Sequence, residues 1–142
     1  EQPQTEQPAP AKAKDISGLH LLLVEDNALN AEIAAALLAD RGVSVELARD
    51  GSEAVRMFRE APAGTYAGII MDIMMPVMDG LTATRAIRAL ERADAKTIPI
   101  IAMTANAFEE DARQCLAAGM NVHLAKPLCM EELVAILARL CA

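Results

Sequence analysis

Five polar residues follow four short apolar runs, and the side chains of these five residues could take part in one reaction. Glu25 and Asp26 follow the first run, Asp72 the second, Thr104 the third and Lys126 the fourth. A carboxylate beside a buried run is normally paired, hydrogen-bonded or bound to a metal. Three carboxylates in one place repel each other, and Mg²⁺ relieves that repulsion because it binds oxygen ligands.

Phosphoryl transfer to a carboxylate requires such a set of side chains. Asp72 is the candidate nucleophile, and its product would be an acyl phosphate. Mg²⁺, the Lys126 ammonium group and the Thr104 hydroxyl would stabilise the charge on the phosphoryl oxygens. The sequence therefore predicts a magnesium-dependent phosphorylation site, provided that the fold brings these residues to one place.

The alternation of short apolar runs with helical segments predicts how the fold brings these polar residues together. Strands are expected at 20–24, 43–48, 67–71, 99–103 and 122–125, and helices at 27–41, 52–59, 81–91, 109–118 and 130–140. This order favours an α/β fold with a parallel sheet covered by helices on both faces. Ligands bind at the carboxyl ends of such strands, where the polar residues fall.

Local patterns add expectations about packing. The first helix carries Leu29, Ile33, Leu37 and Leu38 at the spacing of one apolar face. Asp79-Gly80 is interpreted as a turn and helix cap, and His20 as a strand-edge residue rather than a metal ligand. The three cysteines have no metal-site spacing and are expected to be small apolar residues.

Composition limits the classes of partner. The 142 residues carry a net charge of −7 with only 2% aromatic residues, which disfavours nucleic acid and acidic membrane surfaces. No apolar run approaches the roughly 20 residues of a membrane span, and residues 1–4 do not resemble a signal peptide. We expect a cytoplasmic domain at 18–142, preceded at 1–17 by a disordered linker rich in Pro, Ala and Gln.

From about Leu19 to its end, the chain resembles a response-regulator receiver domain. No single motif is specific, but their order and placement are. The matching segments are Glu25-Asp26-Asn27, Met71-Asp72, Met74-Met75-Pro76-Val77-Met78-Asp79-Gly80, Pro99 through Ala107, Ala118-Gly119-Met120 and Lys126-Pro127. This resemblance implies a flavodoxin-like sheet with strand order 2-1-3-4-5.

The resemblance also implies roles for the acidic residues. Asp72 would accept a phosphoryl group from a phosphohistidine. Asp26, Asp72 and the backbone carbonyl of Met74 would coordinate Mg²⁺, and Glu25 would act through a metal-bound water. Met74 and Asn106 occupy positions that tune acyl-phosphate hydrolysis in this family.

Further roles follow for residues near the last strand. Lys126 would pair with Asp72 and then with the phosphoryl oxygen, which Thr104 would swing in to bond. The bond before Pro127 is expected to be cis. His123 stands where most members carry a switching Tyr or Phe, and Asn121 where Asp is common, a surface change expected to have little consequence.

The predicted function is therefore that of a phosphoacceptor switch, from the receiver module of a hybrid histidine kinase. Its partner would be a histidine kinase or a histidine phosphotransfer domain, with dimerisation left open. A single-domain response regulator is the nearby alternative. A Mg²⁺-dependent aspartyl-phosphate hydrolase and a phosphorylation-independent scaffold are the alternatives from other classes. The chain is not expected to be a dedicated enzyme.

Overall fold

The computed structural model describes residues 16–73, 78–104, 109–125 and 130–141, with only the backbone described at 109–112, 125 and 130. Within these residues, five parallel strands form one sheet in the order β2-β1-β3-β4-β5, which confirms the predicted 2-1-3-4-5 order. The strands are β1 (His20–Val24), β2 (Ser44–Ala48), β3 (Gly68–Asp72), β4 (Ile100–Thr104) and β5 (Val122–Ala125).

The described residues contain six helices, one more than predicted. They are α1 (Ala28–Ala39), α2 (Gly51–Glu60), α3 (Gly80–Arg88), α4 (Ala93–Thr97), α5 (Glu109–Ala118) and α6 (Met130–Leu140). The sequence gives no local signal for α4, because Arg92 at its N-cap provides no side-chain capping bond. The Arg92 guanidinium instead bonds the carboxylate of Asp94 and the carbonyl oxygens of Phe58 and Ala61, which fixes this turn from outside.

Two apolar layers cover the two faces of the sheet. One layer joins Ala34 and Leu38 of α1 to Leu133 and Leu137 of α6, and the other is contributed by α2, α3 and α5. The second layer includes Ala54, Phe58, Ala83, Ile87 and Cys115. Cys115 is therefore a buried apolar residue, as expected.

The predicted apolar face of α1 is wrong in three of its four residues. Leu38 is fully buried, but Leu29, Ile33 and Leu37 are 65%, 51% and 42% exposed. Residues 31, 34 and 38 face the sheet instead, because two alanines allow α1 to approach the strands closely. Since α1 is apolar on both sides, the sequence spacing could not tell which side is buried.

The chain enters this fold at Ile16, which is 4% exposed and packs in the same layer as Leu38 and Val43. Residues 1–15, most of the predicted linker, lie outside the described residues. Among the residues that are described, no helix is both long enough and apolar enough to cross a membrane.

Candidate functional site

Three neighbouring strands end at one edge of the sheet and place four of the predicted site residues there. Val24, the last residue of β1, pairs with Met71, and Asp72, the last residue of β3, pairs with Met103 of β4. Glu25 and Asp26 follow β1 directly, and Thr104 is the last residue of β4. The parallel register therefore brings both acidic segments and the threonine to the same edge.

The carboxylates of Glu25, Asp26 and Asp72 converge at this edge. One carboxylate oxygen from each lies within 4.8 Å of the others. Glu25 and Asp72 are 6% and 2% exposed, whereas Asp26 is exposed. The backbone N–H of Asn27 donates to Oε2 of Glu25 at 3.2 Å, which holds that carboxylate at the end of β1.

This acidic set fits a divalent cation. Carboxylates held together in a partly buried place repel each other unless a positive charge lies between them. Mg²⁺ accepts oxygen ligands at such a site and keeps some of its waters, so a mixture of two buried carboxylates and one exposed carboxylate suits it. The ligand types at this edge therefore agree with the predicted magnesium site.

The backbone around Asp72 is fixed by the start of α3. Asp79 caps α3, since its Oδ1 accepts the backbone N–H of Thr82 at 2.8 Å, which confirms the predicted cap. Gly80 then donates its N–H to the carbonyl oxygen of Ile73 at 2.9 Å. A Cβ at Gly80 would lie 2.5 Å from the carbonyl oxygen of Asp72, so only glycine allows this contact.

Thr104 lies beside the acidic set on the neighbouring strand. It is 5% exposed, and the backbone N–H of Ile73 donates to the carbonyl oxygen of Met103 at 3.0 Å, which ties the end of β3 to β4. On the other side, Thr104 pairs with Ala125, the residue before Lys126. Met74, Asn106, Lys126 and Pro127 lie outside the described residues, so their predicted roles stay predictions.

His123 lies on β5, next to the strand that carries Thr104. It pairs with Ala102 in the parallel register and is half-buried. Its Nε2 atom is fully buried and has no hydrogen-bond partner among the described residues. The predicted switch residue is therefore close to Thr104, and its polar atom points into the protein.

Arg88 is a structural residue that the sequence analysis missed. Its guanidinium donates to the carbonyl oxygens of Gly119 and Ala95 and to Oδ1 of Asn121, at distances between 2.8 and 3.0 Å. Partial burial lowers the pKa of Arg88. Oδ1 of Asn121 also accepts the N–H of Ile100 at 2.8 Å. This exposed residue therefore joins α3, β4 and β5, although the sequence predicted that it would have little consequence.

A groove opens beside the acidic set, between α1 and α2. It has a volume of about 590 Å³ and its lining includes Glu25, Asp26, Leu47, Arg49 and Met57. Leu47 is 45% exposed and adds an apolar wall.

Comparison with known proteins gives a family match over most of the chain. Residues 21–138 match the family model described as response regulator receiver domain. The hybrid signal transduction histidine kinase B of Dictyostelium discoideum is 42% identical over 117 residues, which cover 76% of this chain. The chain spans between 6% and 17% of the lengths of eight curated relatives that it matches.

Solved structures show the same fold. The receiver domain of sensor histidine kinase PA1611 from Pseudomonas aeruginosa, with magnesium coordinated in its active-site cleft, is 46% identical with a TM-score of 0.78, covering 88% of this chain and 98% of that chain. A chain in the co-crystal structure of the Saccharomyces cerevisiae phosphotransfer protein Ypd1 with the receiver domain of Ssk1 is 30% identical with a TM-score of 0.76, covering 87% and 88%.

Proposed function

This chain belongs to the response regulator receiver domain family, and from that membership we propose that it accepts a phosphoryl group from a phosphohistidine onto Asp72. The observation that carries the proposal is the convergence of three carboxylates within 4.8 Å at the end of β3. Asp72 is the buried member at the strand end itself, with its backbone fixed by Gly80. A carboxylate held in this way is a positioned nucleophile.

In this reaction the phosphoryl group passes from one nucleophile, the imidazole of the donor, to another, the carboxylate of Asp72. An oxygen of the Asp72 carboxylate attacks phosphorus in line with the bond to the donor imidazole, the P–N bond breaks as the P–O bond forms, and the imidazole leaves with its electron pair and takes up a proton. The product is an acyl phosphate on Asp72. The neutral Thr104 hydroxyl donates to a phosphoryl oxygen, and Lys126 pairs with another.

Asp26 and Asp72 would hold Mg²⁺ directly with the carbonyl oxygen of Met74, and Glu25 would hold it through a water. When bound, the ion offsets the repulsion among the carboxylates and the incoming phosphoryl oxygens. The buried position of Glu25 supports its indirect role, since Asn27 already donates to one of its oxygens.

The outer side of α1 supports a helical protein as the phosphodonor. Leu29, Ile33 and Leu37 form an exposed apolar stripe that begins three residues after Asp26. A donor that places a histidine against Asp72 must cover the rim formed by Asp26 and the start of α1. An apolar stripe that continues from this rim suits a helix packed along α1, as in a histidine phosphotransfer domain.

The relatives of the chain support a place for this domain within a larger kinase. Its relatives include proteins named as hybrid histidine kinases, of which it spans a small part. We propose that the chain is the receiver module of such a kinase and receives its phosphoryl group from a histidine kinase or phosphotransfer domain.

Phosphorylation would act as a switch through Thr104 and His123. Shifting a two-state equilibrium from roughly 1:99 to 99:1 requires about 5.5 kcal/mol. Hydrogen bonds to a charged group contribute about 1.5–3 kcal/mol each. New bonds from Thr104 and Lys126 to the phosphoryl group would therefore supply most of that shift.

The test is phosphorylation by acetyl phosphate in the presence of Mg²⁺, followed by intact mass measurement. The wild-type protein should gain one phosphoryl group that hydroxylamine removes, and Asp72→Asn should gain none. Asp79→Asn is the matched control, because asparagine keeps the cap of α3 and this exposed acid lies outside the acidic set. Full modification of Asp72→Asn would contradict the proposal.

A further inference from the structure

Two buried polar atoms among the described residues have no hydrogen-bond partner: Oγ1 of Thr84 and Nε2 of His123. Thr84 is 0% exposed. A threonine within a helix commonly donates to the carbonyl oxygen one turn earlier, but Thr84 does not. A buried polar group without a partner is costly, so each such group in a folded protein calls for an explanation.

The contacts at the two ends of α3 locate Thr84. Gly80, one turn before it, lies over the end of β3, because a Cβ there would be 3.0 Å from Cγ of Met71. Arg88, one turn after it, bonds Gly119 and Asn121 at the beginning of β5. The inward face of α3 therefore runs from the carboxyl end of β3 toward the amino end of β5, and Thr84 lies between these two ends.

The sheet register locates His123 on the same side. Met71 pairs with Ala102, and Ala102 pairs with His123, so these three side chains lie in one row on one face of the sheet. Met71 and Ala102 pack in the layer formed with α2, α3 and α5. His123 therefore faces the layer that contains α3. Its neighbour on this face, in the middle of β4, is the small side chain of Ala102.

Thr104 shares this face of β4, two residues after Ala102, and lies diagonally opposite His123. Movement of Thr104 toward a phosphoryl group on Asp72 would leave space beside the His123 ring. The ring could then move inward over Ala102, in the direction of Thr84. Neither buried atom has a partner before that movement.

We propose that Thr84 and His123 form a buried hydrogen bond in the phosphorylated state, between the Thr84 hydroxyl and Nε2 of the imidazole. This inference rests on the proposed phosphorylation of Asp72. The resting state holds two unsatisfied atoms, and the phosphorylated state pairs them. Thr84 thereby becomes a positioning residue that favours the inward position of His123.

Beryllofluoride with Mg²⁺ provides the test, because it mimics a phosphoryl group on a carboxylate and allows equilibrium titration. Thr84→Val removes the hydroxyl at nearly constant volume. It should weaken beryllofluoride binding about fivefold, the effect of one net hydrogen bond. It should not lower the melting temperature of the unliganded protein, since the hydroxyl has no partner there. Thr82→Val, an exposed change on the same helix, is the matched control.

His123→Phe supplies the second arm of a double-mutant cycle. In that background, Thr84→Val should have no further effect on beryllofluoride binding. An equal loss in both backgrounds, or no loss in either, would overturn the inference. A lower melting temperature for unliganded Thr84→Val would also overturn it, since the hydroxyl would then already be bonded at rest.

The ¹⁵N spectrum of the imidazole rings gives a readout that does not depend on a folded His123 variant. The chain has only two histidines, so the signals are readily assigned. The Nε2 signal of His123 should shift on addition of beryllofluoride in the wild type and not in Thr84→Val; identical shifts in both would contradict the bond. Failure of the wild type to bind beryllofluoride, or to be phosphorylated at Asp72, would instead refute the proposed function.

Discussion

Gly80 lies directly against the backbone of Asp72, and no larger residue fits between them. A Cβ at Gly80 would lie 2.5 Å from the carbonyl oxygen of Asp72 and 2.9 Å from Cα of Ile73. Both contacts are with backbone atoms, which cannot rotate away. The space available at the start of α3 therefore determines where β3, the strand that carries Asp72, ends.

Gly80→Ala should consequently impair both stability and phosphorylation. Overpacking of this kind costs about 1–3 kcal/mol in the free energy of unfolding, and the displaced end of β3 should misplace the Asp72 carboxylate. Urea denaturation and the rate of phosphorylation by acetyl phosphate measure the two effects. Wild-type values for both would show that the strand end adjusts freely.

Gly64→Ala is a suitable control for this substitution. Gly64 has a φ of +85°, and a Cβ there would meet no atom within 4 Å. Alanine at this position should cost about 1–2 kcal/mol for its left-handed backbone, without any effect on phosphorylation. A loss of phosphorylation in Gly80→Ala alone would therefore report the contact with Asp72.

The sequence predicts the centre of the sheet well because β1, β3 and β4 are nearly continuous apolar runs. Ile69, Ile70 and Met71 are fully buried, and the acids that follow such runs fall at the carboxyl edge by topology alone. The family resemblance supplied the strand order. The close contact between Gly80 and Asp72 could not be predicted, since it depends on where the backbone of α3 meets β3.

Other features escape prediction because they depend on contacts between distant segments. The guanidinium of Arg92 bonds the carbonyl oxygen of Phe58, 34 residues away in sequence, and so fixes α4 without any local capping signal. Oδ1 of Asn121 accepts the N–H of Ile100 and so links the beginning of β5 to the neighbouring β4. The buried side of α1 is ambiguous for a different reason, since both of its sides are apolar and only packing selects Ala34 and Leu38.

Ile33→Ser should separate the docking of a phosphodonor from the chemistry at Asp72. Ile33 is 51% exposed in the middle of the α1 stripe, so this change should leave the free energy of unfolding nearly unchanged. Loss of one apolar interface contact of about 1–2 kcal/mol would slow transfer from a phosphorylated histidine phosphotransfer domain about 5- to 30-fold. Phosphorylation by acetyl phosphate should keep its wild-type rate.

Leu116→Ser is the matched control for the stripe. Leu116 is 57% exposed on α5, which packs on the opposite face of the sheet from α1. This variant should accept phosphoryl groups from both donors at wild-type rates. Equal slowing of protein-mediated transfer by Ile33→Ser and Leu116→Ser would show that the stripe on α1 is not the docking surface.

The amino end of the sheet carries a separate polar cluster around Glu46. The hydroxyl of Tyr66 donates to Oε1 of Glu46 at 2.9 Å, and Oε2 of the same carboxylate lies 2.9 Å from Nε2 of His20. The rings of His20 and Tyr66 stack with centroids 5.5 Å apart. Bonds from His20 and Tyr66 lower the pKa of Glu46, while burial and the Glu46 carboxylate raise the pKa of Tyr66 to about 12.

The raised pKa of Tyr66 predicts a loss of stability at alkaline pH. Between the unfolded value of about 10 and the folded value of about 12, the unfolded chain releases a proton that the folded chain retains. Stability is therefore intact below this window and falls as the pH rises through it. Since the chain has one tyrosine and no tryptophan, phenolate absorbance gives the pKa directly, with circular dichroism showing which samples remain folded.

Glu46→Gln should lower the measured pKa of Tyr66 without returning it to the unfolded value, because burial is the larger cause, whereas Glu60→Gln should leave it unchanged. A folded wild-type protein that titrates with the unfolded midpoint would refute this account of Tyr66.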